Sequence, residues 1–270
     1  MSHLTLKVLS VLALGGVATI AAAQEQRIVV PLSDPGRPAR LEITLFMGDI
    51  EVVAYDGNEI IVTTDADVRN AGEPEPTRPD GLRRIQTSSV GMTVEENDNT
   101  VSVRMDFSPT GADLEVQVPR RTSVRASLIN GGDVEIEGVT GEHELGNVNG
   151  DVIATNVSGS AVMNSNNGDV RASFAQVDAT KPMSFTSFNG DLDIALPANL
   201  AADLLVATQQ GDVYTDFDVT GENDDASVNS DSVGGQKRWR MQRTTRYAIG
   251  GGGPDIQFRT FNGDIMIRKR

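Results

Sequence analysis

The chain has 270 residues, 38 of them Asp or Glu against 23 Lys or Arg, giving a formal net charge of −15, and it has no cysteine. So acidic a chain repels nucleic acid and anionic headgroups, and without thiols it has no disulfide framework, no thiol nucleophile and no lipid-attachment cysteine. Aromatic residues are only 4% of the total, with one Trp and three Tyr, which leaves few flat platforms for sugar rings.

Residues 1–23 read as a secretory signal peptide: His3 and Lys7, an apolar run over 8–20, then Ala21-Ala22-Ala23 before Gln24. The run is short for a membrane span, and Ala21 and Ala23 place cleavage after Ala23. The expected mature chain, 24–270, is exported, has no stable membrane span and forms one domain. Its charge is uneven, with 13 basic and 36 acidic residues over 24–236 but 9 basic and 2 acidic over 237–270.

Over 24–118, short alternating segments predict strands near 41–46, 50–54, 60–64, 101–105 and 114–118, which form the first coils of a stack. Between them, residues 70–84 carry Gly72, Pro74, Pro76, Pro79 and Gly81 and predict a projecting loop. A tripeptide then sets the organisation. Gly-Asp followed by Val, Ile or Leu occurs seven times, at Gly48-Asp49, Gly132-Asp133, Gly150-Asp151, Gly168-Asp169, Gly190-Asp191, Gly211-Asp212 and Gly263-Asp264. The five copies from Gly132 to Gly211 lie 18, 18, 22 and 21 residues apart, a period that marks stacked units.

After each Gly-Asp the residues alternate, as in Val134-Glu135-Ile136-Glu137 and Leu192-Asp193-Ile194-Ala195. That places Val134, Ile136, Leu192, Ile194, Val213, Phe217, Ile265 and Ile267 on an inner face. A second short strand precedes each Gly-Asp. With two strands per unit and no 3.6-residue apolar period, the expected fold is all-β: a single-domain parallel β-solenoid (β-helix) with coils of 18–22 residues. Stacking then superimposes equivalent turn residues. Gly supplies the backbone conformation, Asp bonds turn amides, and Asn149, Asn167, Asn189 and Asn262, with Gln210 in one copy, can bond from coil to coil.

Residues 220–236 include Asp224, Asp225, Asp231, Gly234 and Gly235 and almost no large apolar side chain; they predict a second, mobile inserted loop. This insertion accounts for the 52 residues separating Gly211 from Gly263. In 237–247, Arg238, Trp239, Arg240, Arg243 and Arg246 stand in one of two roles. They belong to a terminal strand whose Trp covers the core and whose arginines pair with the acidic body, or they dock an anionic partner. Arg268-Lys269-Arg270 put charge on the expected terminal edge, which opposes strand addition.

The recurrent Asn-Gly-Asp-apolar units, the segment Gly250-Gly251-Gly252-Gly253-Pro254 and the closing Thr260-Phe261-Asn262-Gly263-Asp264-Ile265 resemble the bacterial DUF4097 family, also labelled "putative adhesin". The resemblance spans most of 24–270. It implies an exported, right-handed β-solenoid, and the family supplies no catalytic residues to carry over. The insertions at 70–84 and 220–236 depart from its plainest pattern.

Seven stacked Asp carboxylates can recruit calcium through oxygen ligands, but the nonapeptide Gly-Gly-x-Gly-x-Asp repeats of a calcium roll are absent, and an Asp bonded to turn amides needs no metal. A structural turn without metal or cofactor is expected. With His3 in the signal peptide, His143 is the sole histidine of the mature chain, and Gly141-Glu142-His143-Glu144 reads as a surface corner. No His-rich zinc set, Gly-x-Ser-x-Gly elbow or phosphate loop occurs. The alternatives are a calcium-stabilised envelope protein and an enzyme, a polysaccharide lyase or hydrolase with Asp191, Asp193 and Arg171 meeting on adjacent coils. The expected function is instead non-catalytic: an adhesin-like binding or scaffolding protein of the cell envelope, in the periplasm or at the surface. It would display Glu135, Glu137, Arg171 and Asp193 at fixed spacing to an envelope protein or a surface glycan.

Overall fold

Alternation decides local structure along the chain. In Thr122–Asn130, Val124, Ala126 and Leu128 face the core while Arg125, Ser127 and Ile129 face out, the period-two pattern of a half-buried strand. The computed structural model describes residues 26–64, 92–105, 111–178, 180–233 and 236–270. The expected signal peptide, its cleavage after Ala23 and the expected loop at 70–84 lie outside the described residues.

The described chain is all-β, one sheet of twenty strands, with no helix. Its N-terminal strands are β1 (Gln26–Pro31), β2 (Ala39–Met47), β3 (Ile50–Tyr55), β4 (Glu59–Thr64), β5 (Met92–Asn97), β6 (Thr100–Met105) and β7 (Leu114–Pro119). The central ones are β8 (Thr122–Asn130), β9 (Val134–Glu137), β10 (Thr140–Asn149), β11 (Val152–Asn167), β12 (Val170–Val177), β13 (Met183–Asn189) and β14 (Leu192–Leu196). The last are β15 (Ala202–Ala207), β16 (Val213–Thr215), β17 (Val219–Val233), β18 (Gln236–Ile249), β19 (Asp255–Asn262) and β20 (Ile265–Lys269).

Parallel pairing builds two ladders. One runs β6, β2, β8, β10, the second half of β11, β13, β19, β15. The other runs β7, β3, β9, the first half of β11, β12, β14, β20, β16. Each Gly-Asp is the corner where the chain leaves the first ladder for the second. Antiparallel strands finish three of the four ladder ends: β5 on β6, β4 and then β1 on β7, and β18 with β17 on β15. The inner residues form one core, from Leu41 and Val124 through Phe174, Phe185 and Phe258.

Stacking order departs from chain order at both ends. The coil β2–β3 lies between β6–β7 and β8–β9, and the last coil, β19–β20, lies between β13–β14 and β15–β16. The expectation that each coil stacks on its predecessor therefore fails there. Aromatic matching favours the observed neighbour at the C-terminal end: Phe258 stacks on Phe185 at 5.4 Å and Phe261 on Phe188 at 4.9 Å, whereas the coil of Gly211 offers Val206 and Gln209 at those places. Consequently Arg268-Lys269-Arg270 do not guard a terminal edge, because β20 is flanked by β14 and β16.

Residues 220–236 are also not a structureless insertion. Residues up to Val233 form β17, paired along its length with β18, so a partner strand supplies the ladder that low hydrophobicity alone does not predict.

Candidate functional site

The corner of the stack gathers most of the repeat's polar side chains, and it is built in three parallel files. The innermost is a glycine file. A Cβ on Gly150 would lie 1.9 Å from the Gly132 carbonyl oxygen, one on Gly168 2.2 Å from that of Gly150, and one on Gly190 2.1 Å from that of Gly168. No side chain fits, so glycine is required by the approach of the preceding coil. Ala112 holds the equivalent place in the coil that begins the file, and a Cβ on Gly48 would meet the Ala112 oxygen at 2.0 Å. Ala112 itself follows no such carbonyl, which is why an alanine is accommodated there and why the Gly-Asp motif overlooks this coil.

The aspartates form the second file, in the order Asp113, Asp49, Asp133, Asp151, Asp169, Asp191, Asp264, Asp212. Each Oδ1 accepts the backbone N–H of the next aspartate, at 2.7–2.9 Å along the whole file. The carboxylate thus bonds the amide of the neighbouring coil and not the amides of its own turn. Arg171 bridges Asp151 Oδ2 at 2.6 Å and Asp169 Oδ2 at 2.5 Å. Near Asp49 and Asp133 there is no such bridge among the described residues, and Glu51 and Glu135 lie side by side on β3 and β9. Burial, then the neighbouring Asp133, Glu51, Asp49 and Asp151 charges, raise the Glu135 pKa.

The asparagine file completes the exposed edge. Asn167 Nδ2 donates to Asn149 Oδ1 at 2.9 Å, Asn189 to Asn167 at 2.9 Å and Asn262 to Asn189 at 2.7 Å; Asn149 reaches Asn130 at 3.4 Å, and Gln210 pairs with Asn262 through the backbone.

The sequence reading missed a set of donors, buried in every case but the half-buried Thr208. Three residues before the glycine stand Asn147, Ser165, Ser187, Thr208 and Thr260. Ser165 and Ser187 donate to the Gly150 and Gly168 carbonyl oxygens at 2.8 Å, Thr260 to that of Gly190 at 3.0 Å, Thr208 to that of Gly263 at 3.2 Å, and Asn147 to that of Gly132 at 2.9 Å. The signal was present as Ser, Thr or Asn at a fixed offset, but a search for apolar inner positions passes over it. Outward of them, Phe46, Ile129 and Val148 form an exposed apolar row on β2, β8 and β10, and Phe188 stands exposed on β13 beyond Asn166 of β11.

The other expected sites fare differently. Arg171 and Asp193 do meet as register partners on the adjacent strands β12 and β14, while their side chains are engaged elsewhere: Arg171 is held by Asp151 and Asp169, Asp191 Oδ1 accepts the Asp264 N–H, and Asp193 pairs with Arg268 at 2.6 Å. His143 is not a surface residue. It is 3% exposed, its Nε2 lies 3.3 Å from the Ser158 carbonyl oxygen, and its Nδ1 has no partner. Burial lowers its pKa to about 4, with the Ser158 bond opposing. The reason is period two: Glu142 and Glu144 face out, so the residue between them faces in.

Of the basic segment, Arg246 pairs with Asp203 at 3.0 Å and Asp255 at 2.8 Å, the intramolecular role. Arg238, Trp239, Arg240 and Arg243 lie in β18, in register with Asp231, Ser230, Asn229 and Ala226 of β17. Val213, expected inside, is 41% exposed. Among the described residues no three His, Asp or Glu converge as metal ligands. A shallow groove of about 350 Å³ over β8, β10 and β11 is crossed by the ion pairs Lys181–Glu142 and Arg125–Glu144.

A family model described as Toastrack DUF4097 matches residues 85–239. Similar solved structures include a "putative cell adhesion protein" from Clostridium sporogenes ATCC 15579, 11% identical over 92% of this chain and 99% of that one, with a TM-score of 0.48. A "putative adhesin" from Bacteroides fragilis NCTC 9343 is 11% identical over 92% and 98%, with a TM-score of 0.30. A "putative lipid binding protein" from Parabacteroides distasonis ATCC 8503 is 13% identical over 91% and 96%, with a TM-score of 0.31. A comparison with curated proteins finds no match.

Proposed function

Since this chain belongs to the Toastrack DUF4097 family, we propose that it is an exported, non-catalytic β-solenoid that binds or scaffolds partners in the bacterial cell envelope. On this reading the two parallel ladders are the walls of one solenoid, wound right-handed as the family resemblance implies, and its outer rows are a rigid ruler.

One observation carries the reading. The acids, amides and hydroxyls of the repeat are engaged in bonds between coils: Asp Oδ1 to Asp N–H, Asn to Asn, and Ser or Thr to the glycine carbonyl. The most regular chemistry of the sequence therefore maintains a spacing of about 4.8 Å between coils. What remains for a partner is the outward set, among it Glu115, Glu51 and Glu135 side by side on three adjacent strands, Glu137, and the exposed apolar residues. A stiff scaffold of this kind presents many weak contacts in register and needs no cofactor or metal.

Protease accessibility tests the compartment and the role together. The protein is expected to be cut on intact cells if it is displayed at the surface, and only after permeabilisation if it is periplasmic. Recovery of the full-length chain from the cytoplasm, with its first 23 residues intact, would overturn export. Release of unsaturated products from acidic polysaccharides would overturn the absence of catalysis.

A further inference from the structure

Three of the four ladder ends finish on an antiparallel strand, and the fourth finishes on β16, which among the described residues is hydrogen-bonded on one side only, to β20. The repeat defines what its free side lacks. In the preceding coils the glycine N–H donates to the carbonyl of the Asn or Gln of the next coil, as Gly168 does to Asn189 and Gly263 to Gln210, at 2.9–3.0 Å. The Asp Oδ1 accepts the next coil's Asp N–H, and the N–H of the apolar residue donates to the next coil's Asp carbonyl, as Ile265 does to Asp212 at 2.9 Å. Among the described residues the coil of Gly211 has no successor. Its Gly211 N–H, Asp212 Oδ1 and Val213 N–H present a donor, an acceptor and a donor in a line, each without a protein partner among the described residues.

Burial marks the same place independently. The residue after the Asp is 0–1% exposed in every other coil, at Leu114, Ile50, Val134, Val152, Val170, Leu192 and Ile265. Val213 is 41% exposed, with Tyr214 beside it at 53%. Among the described residues this is the one coil in which the position after the Asp is exposed.

We infer that the free edge of β16 accepts an extended segment of another polypeptide, laid parallel to it with a glycine over Gly211 and an apolar residue over Val213. Backbone carbonyls of the segment take the Gly211 and Val213 N–H groups, and a backbone N–H fills Asp212 Oδ1, the pattern of strand addition to an open edge. The glycine is required because a Cβ in each lower layer would lie 1.9–2.2 Å from the carbonyl of the coil before it. A second copy cannot continue the stack by docking its opening coil here, because β4 covers β7 and β1 covers β4. The occupant we assign is a segment of a different protein; a dimer of this chain in solution that protects the Gly211 and Val213 amides would overturn that assignment. This locates a partner for the binding role proposed above, and its failure would leave that role to the outer rows.

The test uses the mature chain and a capped peptide of the protein's own closing motif, Thr-Phe-Asn-Gly-Asp-Ile-Met-Ile, as the probe. In the free protein the Gly211 and Val213 amides should exchange with solvent rapidly, and saturating peptide should slow both at least tenfold. A peptide with Ala in place of Gly should bind at least tenfold more weakly. Asp212→Ala should weaken the original peptide while leaving the melting temperature unchanged, since this carboxylate's Oδ1 supports no further coil. Amides already protected without peptide, peptide binding that leaves them unprotected, or equal binding of the Gly and Ala peptides would each overturn the proposal.

Discussion

The Gly-Asp corner and the wall where β8, β10 and β11 meet both bury polar groups, and they handle them in opposite ways. At the corner, Ser187 and Thr260, each 2% exposed, have a carbonyl to donate to in the coil before. In the wall, His143 is as deeply buried but carries an unpaired Nδ1. The corner's arrangement recurs coil after coil, so a satisfied geometry is copied with the repeat. The histidine occurs once, the neighbouring strand supplies the Ser158 carbonyl to Nε2 but nothing to Nδ1, and the cost falls on stability.

The sharpest way to break the contrast is Gly168→Ala. Its Cβ would collide with the Gly150 carbonyl, and the stack should lose about 3 kcal/mol or more, read as a shifted urea midpoint. Gly131→Ala, with a φ of +66° but nothing within 4 Å of the added Cβ, should cost only about 1 kcal/mol. If the two variants melt alike, contact between coils is not what demands glycine.

Next in size is the pH response of the wall. His143 is neutral in the folded protein down to about pH 4, whereas the unfolded chain takes a proton near the ordinary value of 6.5. Its contribution is therefore fully present above pH 6.5 and is lost as pH falls toward 4, up to roughly 3 kcal/mol from this one group. Urea melts across that window should show the slope, and His143→Leu should flatten it. A slope that survives the substitution would place the acid sensitivity elsewhere.

Ser187→Ala leaves the Gly168 carbonyl without its hydroxyl donor and should cost about 1–2 kcal/mol. Smallest is the surface charge. Arg171→Ala should lose at most about 1 kcal/mol, and Glu135→Gln should gain a few tenths, because one removes a bridge between two aspartates and the other removes like-charge repulsion. Both effects should shrink in high salt; changes unaffected by salt would mean that packing, not charge, distinguishes the bridged coils from the bare ones.

The strands flanking each Gly-Asp, the repeat spacing and the placing of Asn and Asp in files were legible in the sequence, because period two and a constant offset survive in a linear text; the hairpin strand β17 was not, since its composition lacks the apolar alternation. Stacking order was not. Nothing in the spacing of Gly190, Gly211 and Gly263 says that the third lies between the first two; that choice rests on Phe258 and Phe261 meeting Phe185 and Phe188, a comparison of side chains 73 residues apart. Asp113 escaped because Ala112 stands where the motif has glycine, an exception intelligible only once the file is seen to begin there. His143 was legible in principle, since alternation about Glu142 and Glu144 turns it inward; the two charges around it drew the reading to the surface.

The interior position of the last coil sets a timetable for assembly. The seat for β15 and β16 is the outer edge of β19 and β20, so that part of the wall has no template until residues 255–269 have been made and have reached it. Folding must bring together segments such as Asn189 and Asn262 across a long intervening hairpin, a non-local closure that is slow compared with adding a coil to its immediate predecessor. A chain released short of its end would hold its central coils and leave residues 202–215 unseated, so the closing residues act as the keystone by which a finished molecule is distinguished from an unfinished one.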